Sequence, residues 1–139
     1  MKKTITAPAE AKGSDLAAIV DSIKGDHDII LDLSKTKIKT IRKEAFKECN
    51  GLKAIILPEG LESIGDWAFY NCEALSQITI PSNVTSIGKN AFGKCCSLEQ
   101  ITFADPSGWY SDRTLTQSVE PRQLASWVKA GAALYNKDR

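Results

Sequence analysis

Ile64-Gly65-Asp66-Trp67-Ala68-Phe69-Tyr70-Asn71-Cys72-Glu73-Ala74-Leu75 is one of three copies of the same phrase. It is preceded by Ile41-Arg42-Lys43-Glu44-Ala45-Phe46-Lys47-Glu48-Cys49-Asn50-Gly51-Leu52 and followed by Ile87-Gly88-Lys89-Asn90-Ala91-Phe92-Gly93-Lys94-Cys95-Cys96-Ser97-Leu98. The Ala-Phe pairs fall at 45, 68 and 91, so the period is 23 without slippage. A fixed period of this length marks one supersecondary unit copied in series. Such a unit buries its apolar face only by stacking on its neighbours. The repeat therefore predicts a solenoid and moves any function from a cleft to a surface.

Each copy runs on into a strand: Leu52-x-x-Ile55-x-Leu57-Pro58, Leu75-x-x-Ile78-x-Ile80-Pro81, and Leu98-x-x-Ile101-x-Phe103. Alternation of apolar and polar residues gives each strand one buried face. Stacked in register, the strands predict a parallel sheet spaced about 4.8 Å per coil. Pro58 and Pro81 close their strands, where a missing N–H is tolerated. Leu61/Ile64 and Val84/Ile87 then point inward on the far side. Ala-Phe-x-x-Cys reads as a short helical turn, with Phe46, Phe69 and Phe92 stacked as a ladder. Upstream, Ile29, Leu31 and Leu33 also alternate, but aligning Leu31 and Leu33 with Ile55 and Leu57 takes an offset of 24. The first coil is thus degenerate by one residue, as terminal repeats commonly are.

The ends depart from the period. Residues 1–13 read as a flexible tail. Ser14 or Asp15 caps a helix over 14–25, with Leu16, Ile19, Val20 and Ile23 at helical spacing and Gly25 as its stop. Its single apolar stripe suits the open end of a stack. Past Phe103 the period is lost, and residues 104–139 read as a C-terminal cap. There Pro121 opens a helix carrying Leu124, Trp127 and Val128, Gly131 stops it, and 132–139 fray. Trp109, Tyr110 and Trp127 are expected to seal the last coil's Ile101/Phe103 layer, or alternatively to form an aromatic recognition patch. The fold class that follows is an α/β solenoid. A parallel sheet forms one face, short helical turns the other, with a helical N-cap and an irregular or helical C-cap. Residues 14–139 form a single domain whose repeats span 29–103.

Composition narrows the function. The chain has 139 residues, 42% apolar and 25% charged, with a net charge of +1. That balance is ordinary for a globular domain and lacks the basic surplus of a nucleic-acid binder. No run is long enough for a membrane-spanning helix. Met1-Lys2-Lys3 starts like a signal peptide but no apolar stretch follows, so the chain as given reads as cytoplasmic, mature, or cut from something longer. Cys49, Cys72 and Cys95 recur in register, and with Cys96 they read as small buried hydrophobes, oxidation being the alternative. No Cys-x-x-Cys is present and the single His is His27, so no zinc site is expected. Asp21, Asp26, Asp28 and Asp32 lack calcium-loop spacing. Asp26-His27-Asp28 cannot converge on one point and has no nucleophile beside it. Neither cofactor nor catalysis is expected.

Binding is left to the exposed columns. On the outward face of the sheet the pattern places Lys53, Ala54 and Ile56, then Ser76, Gln77 and Thr79, then Glu99, Gln100 and Thr102, with Ile30 and Asp32 extending it into the first coil. Gln77 over Gln100 and Thr79 over Thr102 make an uncharged hydrogen-bonding strip, and Ile56 is its apolar intruder. A second candidate is the basic run Lys35, Lys37, Lys39, Arg42, Lys43 and Lys47, suited to a sulfated glycan or an acidic partner. Lys43, Asp66 and Lys89 form a column of alternating sign.

The phrase Ile-Gly-x-x-Ala-Phe-x-x-Cys-x-x-Leu-x-x-Ile-x-Ile-Pro at 64–81 closely resembles the BspA-like leucine-rich repeat, the 23-residue class of many bacterial and some protist surface proteins. The likeness covers about residues 29–103. It implies a leucine-rich solenoid whose work is binding, in a cell-surface or secreted setting, similar to adhesins for host matrix proteins or other cells. The expectation is a non-catalytic protein-binding module with its ligand on the sheet face. Glycan or acidic-partner binding at the basic end and a self-assembling structural protein, with weak homo-oligomers, are the alternatives.

Overall fold

The computed structural model describes residues 3–111, 114–118 and 123–136. Strands β1 (Lys3–Thr6), β2 (Ile29–Asp32), β4 (Leu52–Ile56), β6 (Gln77–Ile80) and β8 (Gln100–Phe103) lie in that order in one parallel sheet. The chain then rounds a corner and returns through the two-residue strands β3 (Thr40–Ile41), β5 (Ser63–Ile64) and β7 (Ser86–Ile87), which pair in parallel as a second sheet. One coil is therefore a strand, a corner, a short return strand and a closing turn. Ile29 faces Leu52 but Ile30 faces Ala54, so Lys53 is an extra residue that bulges the first pairing. This is the slip that the offset of 24 anticipates. From Ala54 on, partners differ by 23: Ala54 with Gln77, then Gln77 with Gln100 and Thr79 with Thr102.

The closing turns supply a third ladder. Ala45, Lys47 and Cys49 donate their N–H groups to the carbonyls of Arg42, Glu44 and Phe46 at 3.1, 3.2 and 3.2 Å. The residues between them reach the next coil instead: Glu44 to Asp66, Phe46 to Ala68 and Glu48 to Tyr70, at 3.0, 2.7 and 2.8 Å. The pattern repeats from Trp67, Phe69 and Asn71 to Lys89, Ala91 and Gly93. The expected helical turn thus takes the form of consecutive i to i−3 turns. Glu44, Glu48, Trp67, Asn71, Asn90 and Lys94 interrupt them with φ between 53° and 62°.

Inside, Phe46, Phe69 and Phe92 stack with ring centres 5.1 Å apart and planes within 4° of parallel. That spacing is close to the sheet repeat of about 4.8 Å, so ring stacking and strand pairing reinforce one another. The buried thiol of Cys72 donates to the Phe46 carbonyl at 3.0 Å, and that of Cys95 to Phe69 at 3.1 Å. Coil contact is close enough to dictate glycine. A Cβ at Gly65 would lie 2.6 Å from Lys43 N, and one at Gly88 would overlap the backbone of Asp66. The equivalent position in the first coil is Arg42, which has a side chain because β3 is the outermost strand of its sheet.

The ends correct the sequence reading twice. Within the segment read as a tail, Lys3–Thr6 is a strand: Lys3 N–H donates to Asp28 O and Ala7 N–H to Asp32 O, both at 2.9 Å. Ala7 and Ala11 are buried, and a 3-10 turn at Gly13–Asp15 leads into helix α1 (Leu16–Ile23). That helix buries Leu16, Val20 and Ile23. Asp15 accepts the Lys12 N–H at 2.8 Å and makes no side-chain cap to the helix. Gly25 follows at φ 88°.

At the other end, β9 (Trp109–Ser111), β10 (Thr114–Ser118) and β11 (Leu134–Asn136) extend the second sheet, with α2 (Leu124–Lys129) between the last two. Residues 134–136, read as frayed, form a strand antiparallel to both β7 and β9. Asn136 N–H donates to Thr85 O at 2.7 Å, and its amide to Ser107 O at 2.8 Å. Trp109 is fully buried, edge-on to Phe103 at 5.4 Å, so it seals the last coil and takes no part in a recognition patch. Tyr110 stacks on Tyr135, and Trp127 packs partly buried on the core. The expected helix start at Pro121 lies outside the described residues.

Cys96 also departs from expectation. Cys95 takes the inward position of the register and Cys96, its neighbour, is exposed. The column Lys43, Asp66, Lys89 is exposed throughout, and the Asp66 carboxylate accepts the Lys89 backbone N–H at 2.8 Å.

Three outcomes follow from this packing. Phe69→Ala should cost about 3–5 kcal/mol of unfolding free energy in a denaturant titration; a loss below about 1 kcal/mol would place the ring outside the core. Gly65→Ala should be destabilising by more than about 1 kcal/mol, whereas Arg42→Gly at the matching first-coil position should be close to neutral. Burial pushes the thiols of Cys49 and Cys95 up to about 11, and raises that of Cys72 further. A folded-state pKa above the ordinary 9.0 means these thiols stabilise fully below pH 9 and lose that contribution as pH climbs towards 11. A thiol-reactive dye at pH 8 should accordingly label Cys96 at once and the other three on unfolding.

Candidate binding face

The first sheet buries Ile29, Leu31, Ile55, Ile78 and Ile80 on one side. Alternation then sends two columns outward. Thr4, Ile30, Ala54, Gln77 and Gln100 form one. Thr6, Asp32 and Ile56 begin the other, which Thr79 and Thr102 continue. A groove of about 320 Å³ runs over this face, floored by Ala54, Ile56, Gln77, Thr79, Gln100 and Thr102. Glu59, Pro81 and Ala104 border it where the strands exit. Ile56 is 47% exposed, the large apolar side chain left open on the described surface.

Six of the eleven residues expected on this face, Ala54, Ile56, Gln77, Thr79, Gln100 and Thr102, come together in the groove. Asp32 sits beside Ile56 in the outer column. Hydrogen bonds from Ser34, side chain and backbone, hold its carboxyl below the ordinary range, helped by Lys35. Its Oδ1 takes the Ser34 N–H at 2.9 Å, so it is a fixed charge at the margin. Lys53 and Glu99 are elsewhere. Lys53 is the bulge residue, and with Ser76 and Glu99 it marks the strand entrances, where Ser76 N–H donates to Lys53 O and Glu99 N–H to Ser76 O, both at 3.1 Å. At the bulge two residues stand opposite one on the partner strand, and it is Ala54 that aligns with Ile30 in the outward column. Thr4 and Thr6 were not anticipated. Their signal is the alternation in Lys3-Thr4-Ile5-Thr6, four residues against a background of Pro, Ala and Lys.

The basic run follows the first coil. Thr36 and Ile38 are buried, which turns Lys35, Lys37 and Lys39 outward, and Arg42 and Lys43 are exposed beside β3. Lys47 is half-buried and pairs with Glu44 at 3.4 Å. Since β3 is the outermost strand of its sheet, these cations also blunt an edge that would otherwise accept another strand. A smaller cavity of about 240 Å³ lies between the end of α1 and the second coil, lined by Lys24, Asp26, His27, Glu48 and Cys49 among others. His27 is exposed there, and Asp26 lies 3.8 Å from the Lys3 ammonium. Among the described residues no three His, Cys, Asp or Glu side chains gather as metal ligands.

A family model described as "BspA type Leucine rich repeat region (6 copies)" matches residues 30–116. No curated protein gives a significant match. Among solved structures, the chain is similar to a leucine rich cell surface protein from Faecalibacterium prausnitzii A2-165, with 22% identity and a TM-score of 0.48. That likeness covers 75% of this chain and 32% of the other, so the present chain spans about a third of that protein's length. Over the matched residues the 23-residue phase recurs in both sheets and in the closing turns, and the chain belongs to the BspA-type leucine-rich repeat family.

Proposed function

We propose that this domain is a non-catalytic protein-binding module of a cell-surface or secreted protein, acting in adhesion, with its ligand on the outward face of the five-stranded sheet. The observation that carries the proposal is the bare face itself. Parallel sheets ordinarily have both faces covered; here one face packs on the core while the other presents an uncharged strip of Gln and Thr around Ile56. Such side chains suit a polypeptide, whose backbone groups they can meet as donors or acceptors. Ladders on three sides fix these residues before any ligand arrives, which lowers the ordering cost of binding. Membership of a surface-protein repeat family supports the setting. No helix among the described residues is long and apolar enough to cross a membrane.

Size sets the strength. Five strands showing two residues each make a patch of a few hundred Å², against about 800 Å² per partner in a stable interface. One copy of the domain should therefore bind in the micromolar range or weaker. Glycan or acidic-partner binding through Lys35, Lys37, Lys39, Arg42, Lys43 and Lys47 is the second reading. Its support is the outward display of Lys35, Lys37 and Lys39 on one coil.

Capture of partners from host matrix and from the source cell's own surface proteins, with Gln77→Arg/Gln100→Arg as control, tests the first reading. The partner should be retained by the wild type and lost from the double variant. Retention by both would move the site off the sheet. Equal loss on a heparin column and in capture after replacing the first-coil lysines with Ser would favour the basic end.

A further inference from the structure

The closing turns carry a second surface that the repeat does not require. Their inward places go to Ala68, Phe69 and Cys72 in the middle coil, all fully buried. Their outward places differ from coil to coil. Glu44, Trp67 and Asn90 share one register position, and Lys47, Tyr70 and Gly93 share another. The middle coil thus sets two large rings on the outside of the solenoid, both half-buried. The indole and phenol meet edge to face, with centres 4.7 Å apart and planes at 63°.

Trp67 holds this place against its backbone preference. Its φ is 61°, in the left-handed region. Asn90 meets the same demand comfortably, because Asn tolerates that region and bulky residues do not. The closing-turn ladder imposes this backbone on every copy, Glu44 included at φ 61°, so the coil holds the strain whichever side chain is present. Tyr70 extends over the next coil at Gly93. A Cβ there would lie 3.0 Å from the Tyr70 ring and 3.1 Å from Asn90 Oδ1. The missing side chain makes a shelf, with the phenol on one side and an amide oxygen on the other. Asn71 meets the same shelf, its N–H donating to Gly93 O at 2.8 Å. The Lys94 ammonium stands 5.8 Å from the Tyr70 ring centre.

We propose that Trp67 and Tyr70 form a subsite for a neutral pyranose ring. The aromatic surfaces match the C–H face of a sugar. The Asn90 amide, whose oxygen borders Gly93, and the Lys94 ammonium supply an acceptor and donors at the margin for its hydroxyls. Charge argues against other small ligands. Lys94 already takes the cation position against Tyr70, and on the preceding coil the Lys47 ammonium is paired with Glu44 at 3.4 Å while Glu48 adds a further carboxylate, which disfavours an anion. Size argues against a protein: two rings fall far short of about 800 Å² per partner. The subsite lies on a different face of the coil from the sheet groove, so the two can be occupied together.

Titration of the whole chain with the methyl glycosides of glucose, galactose, mannose and N-acetylglucosamine, followed by protein NMR, tests the assignment. At least one should saturate, with a dissociation constant on the order of millimolar. Trp67→Asn should weaken that binding at least about tenfold while holding or raising the melting temperature, since Asn relieves the left-handed backbone. Gly93→Ala keeps both rings but crowds the phenol off its shelf, and should weaken binding as well. Gln77→Arg/Gln100→Arg should leave it unchanged. The proposal is overturned by failure of all four sugars to saturate at about 100 mM, by binding equal to wild type in both Trp67→Asn and Gly93→Ala, or by tighter binding of tetramethylammonium than of any sugar.

Discussion

Backbone hydrogen bonding from each coil to the next is the constraint on which the molecule depends. It runs along three sides of the coil: the long strands, the two-residue return strands and the closing turns. Its spacing brings every residue within about 5 Å of its equivalent one period away. At that distance a column must hold side chains that tolerate copies of themselves. Flat Phe rings stack, Cys thiols donate to a carbonyl of the coil before, and glycine stands where the neighbour's backbone occupies the space of a Cβ. The 23-residue phrase is the sequence image of that ladder.

How the ladder stops is equally physical. Tyr110 lies 23 residues after Ile87, where a fourth return strand would stack directly on β7. β11 occupies that slot in the antiparallel sense, and β9 is displaced one strand outward. An antiparallel strand breaks the series because its side-chain register no longer copies the coil below. At the first coil the second sheet ends on β3 among lysines, and α1 contributes Leu16, Val20 and Ile23 to the core.

This explains what could be read from residues alone. Ile55, Phe69 and Val84 were legible because each inward place is repeated and repetition averages out chance. The bulge at Lys53 was legible as a broken offset, since a one-residue slip reverses the facing of a strand. β1 and β11 were not, because each is used once and is only a few residues long, too short for a period-2 signal to stand out. Lys53 and Glu99 are placed on the face by position between apolar residues; in the structure Lys53 falls on the bulge and Glu99 just before β8. Thr4 and Thr6 were lost with β1.

Trp67 and Tyr70 were missed for the opposite reason. Aligning repeats preserves what the copies share, and these residues are where the copies disagree. The same holds for Ile56, whose counterparts are Thr79 and Thr102. In a stack held by a common ladder, shared positions are committed to the core, the close approaches and the turns. A ligand that distinguishes this chain from another of its family must then be recognised at the unshared ones. Ile56 on the sheet and the Trp67–Tyr70 pair on the turns are such places, each a large side chain left partly in water where its neighbours in the column are smaller or polar. Neither is demanded by the fold, and Trp67 is held in a conformation that Asn would adopt with less strain. Binding at the two proposed sites supplies what the fold does not, a reason for a large side chain at each of these places.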